Sequence, residues 1–85
     1  MAHTKSEIVY LKSIMAGDSE SQARQNIIRL GLPDISNQTA NLWCNLYIPI
    51  LNQNRIYATN VISGTMSMVE VVRSIRSRTK GNENE

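Results

Sequence analysis

The sequence predicts an all-α protein, a compact bundle of four to five short helices that forms a single domain over residues 1–80. Apolar side chains recur at intervals of three and four along most of the chain, which is the spacing of one helical face. Capping-box patterns mark three helix starts. They are Thr4 with Glu7, Ser19 with Gln22, and Ser67 with Glu70. The polar residues 81–85 are predicted to be a disordered tail.

The first two helices are predicted to pack as a helical hairpin, because they are short and closely joined. The first runs from about Lys5 to Ala16 and ends at Gly17. Its inner face is expected to comprise Ile8, Leu11 and Met15, with Ile14 beside them. The second is capped by Asp18 or Ser19 and ends at Gly31. Its inner face is expected to comprise Ala23, Ile27 and Leu30, widened by Ile28.

The third helix is predicted from Ser36 to Tyr47, after a turn at Leu32-Pro33-Asp34. Its apolar face would hold Ala40, Trp43, Cys44 and Tyr47, and its opposite face Asn37, Asn41 and Asn45. Residues 45–49 would also serve as a short strand, and the sequence leaves that alternative open.

Pro49 suits the first turn of a fourth helix, which is predicted to continue to the break at Ser63-Gly64-Thr65. Its several asparagines make this helix intrinsically weak. The last helix is predicted from about Met66 to Thr79, with Val72 and Ile75 buried.

The composition indicates a cytoplasmic protein without catalytic equipment. Its single cysteine, Cys44, suits a reducing compartment, and the N-terminus lacks the apolar segment of a signal peptide. No apolar stretch approaches the roughly 20 residues of a membrane span. No metal-ligand spacing, phosphate loop or nucleophile motif occurs, so we expect no enzyme activity, cofactor or small-molecule substrate.

Charge is distributed unevenly, and this predicts a homodimer. Between Ile35 and Val69 the only charged residue is Arg55. Such a charge-poor segment is longer than an 85-residue monomer readily buries, so we expect a second copy to cover it through the third and fourth segments.

A DNA-binding regulator of prokaryotic or phage type is the first functional hypothesis. The second helix, the turn at Gly31 and the third helix have the order of a helix-turn-helix motif. Asn37, Gln38 and Asn41 would read bases, since side-chain amides both donate and accept hydrogen bonds. Phosphate contacts would come from Arg24, Arg29, Arg73, Arg76 and Arg78. The alternative for the asparagines is an exposed helix face, and for the basic tail a solvated helix end.

Residues 45–76 resemble the ribbon-helix-helix repressors. The segment NLYIP stands where that family has its DNA-reading strand, and SMVEVVRSIR matches its second helix. The resemblance implies that Asn45 and Tyr47 alternate outward on a strand shared by two chains. The intervening helix departs from the family pattern, since Arg55, Thr59 and Asn60 occupy positions where apolar residues are expected.

The rival hypothesis is a protein-interaction module, such as a phage or plasmid inhibitor or antirepressor. Aromatic and methionine side chains are enriched at protein interfaces. The candidates here are Trp43, Tyr47, Tyr57 and Met68. Such residues also build cores, and for Trp43 the core is the preferred interpretation.

Overall fold

The computed structural model describes the backbone of residues 3–83 and the side chains of residues 3–78, and over this range it contains helices and no strand. The α-helices are α1, Lys5–Met15; α2, Glu20–Arg29; α3, Asn37–Leu42; α4, Ile48–Asn52; α5, Arg55–Ser63; and α6, Met68–Glu83. A π-helical segment, Trp43–Tyr47, joins α3 to α4 without a break, and the three form one rod that we call helix 37–52. The predicted all-α bundle is confirmed, with five helical rods.

Helix α1 lies at the centre of the fold and packs against α2, α4 and α5. The predicted capping box at Thr4 and Glu7 forms, and Gly17 follows the helix in a left-handed conformation with φ +100°. The buried face of α1 differs in part from the predicted one. Leu11 is buried, but Tyr10 is buried beside it, whereas Ile8 and Met15 are only half-buried.

Two serines of α1 are also buried, and each is hydrogen-bonded, as burial of a hydroxyl requires. Ser6 donates to the carbonyl of Pro33, and Ser13 accepts from the side-chain amide of Asn26 at 3.0 Å. These bonds fix α1 against the connection after α2 and against α2 itself.

Helix α2 buries a narrower face than the sequence predicted. Ala23 and Ile27 are fully buried, whereas Ile28 and Leu30 are 61% and 64% exposed. Leu30 follows the last helical residue, and Gly31, with φ +75°, then departs from helical conformation. The predicted inward position of Leu30 is therefore wrong, and seven residues, 30–36, separate α2 from α3.

The π-helical segment is explained by Pro49. A proline inside a helix has no N–H to donate, and its ring clashes with the carbonyl four residues earlier, here that of Asn45. A π-helical turn is wider, with hydrogen bonds that span five residues, and Ile48 donates to the carbonyl of Trp43 in this way. The rod therefore passes Pro49 unbroken, so 45–49 is helical, and the strand required by the ribbon-helix-helix resemblance is absent from residues 3–83.

The predicted fourth helix is divided at Gln53 and Asn54. The side-chain amide of Asn54 donates to the carbonyl of Ile50 at 2.9 Å, and this bond replaces the backbone donor that a continuing helix would supply. Helix α4 ends at Asn52 and α5 begins at Arg55. The predicted fourth helix, expected to be weak because of its asparagines, is thus interrupted at Gln53 and Asn54.

Helix α6 begins with the predicted capping box between Ser67 and Glu70. Its inner positions are Met68 and Val71, which are buried, whereas Val72 and Ile75, predicted to be buried, are half-buried. Its backbone is helical to Glu83, so the tail predicted over 81–85 begins inside the helix, and residues 84 and 85 lie outside the described residues. None of the helices described is long and apolar enough to cross a membrane.

Two adjacent isoleucines of α2 test this assignment of faces. Ile27→Ala should lower the free energy of unfolding by about 2–5 kcal/mol, because it leaves a cavity in the core. Ile28→Ala should change it by less than about 0.5 kcal/mol, because its side chain is largely exposed. Urea denaturation of both variants measures the difference, and equal losses would show that the face of α2 is misassigned.

Candidate interaction surfaces

The outer face of helix 37–52 carries amide side chains and two leucines and no charge. The predicted base-reading residues Asn37, Gln38 and Asn41 are all exposed. The alternative interpretation of the asparagines, an exposed helix face without a DNA contact, predicts the same exposure. Leu42 and Leu46, one helical turn apart, are 41% and 49% exposed. We call this surface, Gln38, Asn41, Leu42, Asn45 and Leu46, the amide-leucine face.

Arg24, a predicted phosphate contact, makes its hydrogen bonds to other residues of the same chain. Its guanidinium donates to Glu20, to the carbonyl of Ile35 at 3.4 Å and to the side-chain oxygen of Asn37 at 3.0 Å. A carboxylate oxygen of Asp34 lies 3.6 Å from it, and the hydrogen bond to Glu20 raises the pKa of Arg24. Arg24 therefore fixes the start of helix 37–52 against α2.

The other predicted phosphate contacts are exposed, and Arg29 is the last residue of α2. Arg73, Arg76 and Arg78 are on α6, and Arg78 lines a shallow depression of about 240 Å³ with Asn54 and the start of α5. Asn54 adjoins the C-terminal end of helix 37–52, whereas Asn37 begins it, and a rod of this length spans roughly 22 Å. One copy of the chain therefore places Arg78 far from Asn37, whereas Arg24 lies beside Asn37 but makes its contacts within the chain.

An aromatic cluster lies behind the amide-leucine face. The ring centroid of Trp43 lies 4.9 Å from that of Tyr47 and 5.0 Å from that of His3, both in edge-to-face contact. His3 Nε2 accepts the backbone N–H of Met68 at 3.0 Å, at the start of α6. Sequence reasoning missed this role of His3, because only the tertiary fold brings residue 3 to α6.

The four predicted interface residues divide between core and surface. Trp43 and Met68 are 0% and 1% exposed, so they belong to the core of the single chain. For Trp43 this was the preferred interpretation of the sequence. Tyr47 and Tyr57 are half-buried and retain some accessible surface. An interface on this chain is therefore more readily built from exposed leucines than from the buried tryptophan.

Cys44 forms its polar contact with a buried tyrosine. The hydroxyl of Tyr10 lies 2.8 Å from Cys44 Sγ, and burial together with this contact raises the pKa of Tyr10 well above its usual range. Cys44 is half-buried on the inner face of helix 37–52, where it was predicted. Within the residues described, no group of three or more His, Cys, Asp or Glu side chains is placed to hold a metal ion.

Glu7 links the start of α1 to helix 37–52. Its carboxylate accepts the backbone N–H of Thr4 at 3.0 Å and the indole N–H of Trp43 at 3.2 Å. Partial burial alone would raise the pKa of Glu7, but the hydrogen bonds from Thr4 and Trp43 and the proximity of His3 outweigh it, so the pKa is lowered. Because the carboxylate is favoured in the folded state, it stabilises the fold above its unfolded pKa of about 4.3.

Glu7→Gln should therefore lower stability in a pH-dependent way. At neutral pH the loss should be about 0.3–1 kcal/mol, the usual contribution of a charge at a helix N-terminus. The difference from the wild-type chain should shrink as pH falls through the lowered pKa of Glu7, because the wild-type carboxylate is then protonated too. Urea titrations at neutral and at acid pH measure it, and a difference independent of pH would contradict the assigned role.

Comparison with known proteins identifies no relative of this chain. No protein-family model matches it, and no curated protein or solved structure is significantly similar to it.

Proposed function

We propose that the chain is a small non-enzymatic regulator that acts by binding proteins, and that it pairs with a second copy of itself through the amide-leucine face. The observation that carries the proposal is the exposure of Leu42 and Leu46 on a helix that has no charged residue between positions 37 and 52. A face without charge meets its own copy without repulsion, which suits a two-fold symmetric interface. The single cysteine suits action in the cytoplasm.

The expected strength of this pairing follows from the leucines. Each is already about half covered, so complete burial contributes about 1 kcal/mol, and the four leucines of a symmetric pair contribute about 4 kcal/mol. Association itself costs about 4–15 kcal/mol, so hydrogen bonds between the neighbouring amides must supply the remainder. The proposed dimer is consequently reversible rather than permanent.

DNA binding through a helix-turn-helix is the second candidate. Its support is the exposure of Asn37, Gln38 and Asn41 at the start of the helix that follows α2. Against it, the seven-residue connection between α2 and α3 exceeds the three or four residues of such a motif. Arg24 is engaged within the chain, and Arg78 lies near the opposite end of helix 37–52. Protein binding is therefore the better supported function.

Paired substitutions test the dimer. Wild-type chain should sediment as a concentration-dependent mixture of monomer and dimer between about 10 and 500 µM, since weak interfaces have dissociation constants in this range. Leu42→Gln with Leu46→Gln should give monomer throughout. The matched control, Ile28→Gln with Leu30→Gln, removes two exposed apolar side chains from the region of α2 and should leave the dimer intact.

A wild-type chain that remains monomeric over this whole range would overturn the dimer proposal. A gel shift at low salt, using fragments from around the chain's own gene, examines the second candidate. A shift that weakens steeply with salt and is lost in Arg73→Gln with Arg76→Gln would favour DNA binding over protein binding.

A further inference from the structure

A second surface lies along the side of α1, between the end of α2 and the end of α5. Two adjoining depressions of about 380 and 290 Å³ share Val9 and Lys12 as lining residues. Their apolar lining includes Ile8, Val9, Leu30, Leu32, Ile62 and Met66. We call the two together the basic groove. It includes Leu30, whose exposure the sequence did not predict.

The charges that line the basic groove all have the same sign. Lys5 and Lys12 border the larger depression, and Lys12 and Arg29 the smaller, whereas no Asp or Glu lines either one. Among the ion pairs of residues 3–78, none involves these three cations. Lys5 and Lys12 are seven residues apart on α1, which places them on the same face about 10 Å apart.

The chain's own carboxylates, over residues 3–78, already take part in hydrogen bonds within the fold. Each of the five between residues 3 and 78 accepts a hydrogen bond within the chain. The donors are Thr4 and Trp43 to Glu7, Asn26 to Asp18, Arg24 to Glu20, Ile35 to Asp34 and Ser67 to Glu70. The described carboxylates of a second copy thus already serve its own caps and turns, which favours a different protein as the source of the matching negative charge.

We infer that the basic groove binds an acidic amphipathic helix of a partner protein. The helix would place leucine or isoleucine side chains against Ile8, Val9 and Leu30. Carboxylates seven residues apart would meet Lys5 and Lys12, because two helices that lie side by side share the same spacing. The inference rests on the proposed protein-binding function and assigns that function a second surface and a partner of stated chemistry.

Other anionic partners fit the basic groove less well. Nucleic acid would satisfy the three cations but would leave the apolar lining without a complementary surface. A lipid membrane presents a flat surface, whereas this one is concave. The chain's own last residues, 79–85, contain no apolar side chain that would fill it. An acidic helix with apolar side chains satisfies both the cations and the lining.

A display selection tests the inference with the full chain as target. A library of random twelve-residue peptides presented on a helical scaffold should yield sequences with Asp or Glu interleaved with Leu or Ile at helical spacing. Lys12→Glu should weaken a selected peptide at least about tenfold, because it reverses a charge shared by both depressions. Leu30→Gln should weaken it about fivefold through lost apolar contact. The control Arg76→Glu makes the same charge change on α6 and should have no effect.

Three outcomes would overturn the inference. The first is a failure to enrich acidic peptides, and the second is binding that Lys12→Glu leaves unchanged. The third is binding to DNA or to vesicles with anionic headgroups that Lys12→Glu abolishes, which would assign the cations to phosphate. Peptides that instead compete with dimerisation and depend on Leu42 and Leu46 would refute the groove but preserve the proposed function. A wild-type chain that neither dimerises nor binds a selected peptide would refute the groove and the proposed function together.

Discussion

The fold depends on the burial of Trp43, the chain's single tryptophan. A buried indole needs an acceptor for its N–H, and Glu7, which also completes the cap of α1, supplies it. The ring of Trp43 packs against His3, whose Nε2 accepts a backbone N–H at the start of α6. One side chain thus connects the start of the chain, helix 37–52 and α6.

This arrangement determines which surface helix 37–52 presents. With Trp43 and Tyr47 held against α1 and His3, the side chains on the other side of the rod face outward. The π-helical turn allows the rod to continue past Pro49 to Asn52, which extends it by slightly less than one turn. The uncharged outer face with its two leucines is therefore a consequence of how the tryptophan is buried.

Local features of the fold were predictable because their causes are local. The caps at Thr4 and Ser67 and the ends at Gly17 and Gly31 depend on residues within one helical turn. Features that depend on neighbours distant in sequence were not predictable. Tyr10 and Ser13 are buried because α1 is enclosed on several sides, which its own periodicity does not reveal.

The same distinction between local features and contacts distant in sequence applies to the candidate surfaces. The exposure of Asn37, Gln38 and Asn41 was predictable from helical spacing, but the engagement of Arg24 with Asn37 was not, since it joins two helices. The basic groove was missed because its wall combines α1 with the exposed Leu30, a residue that sequence periodicity assigned to the core. Periodicity identifies an apolar stripe without showing how much of it a neighbour covers.

We propose that this chain works through protein contacts made by the outer face of helix 37–52. Amide NMR spectra recorded over a series of dilutions test it residue by residue. We expect chemical-shift changes concentrated at the exposed positions between Gln38 and Pro49, with little change in α2 or along Arg73 to Arg78. Shifts confined to α6, or spectra that do not change with concentration, would contradict it.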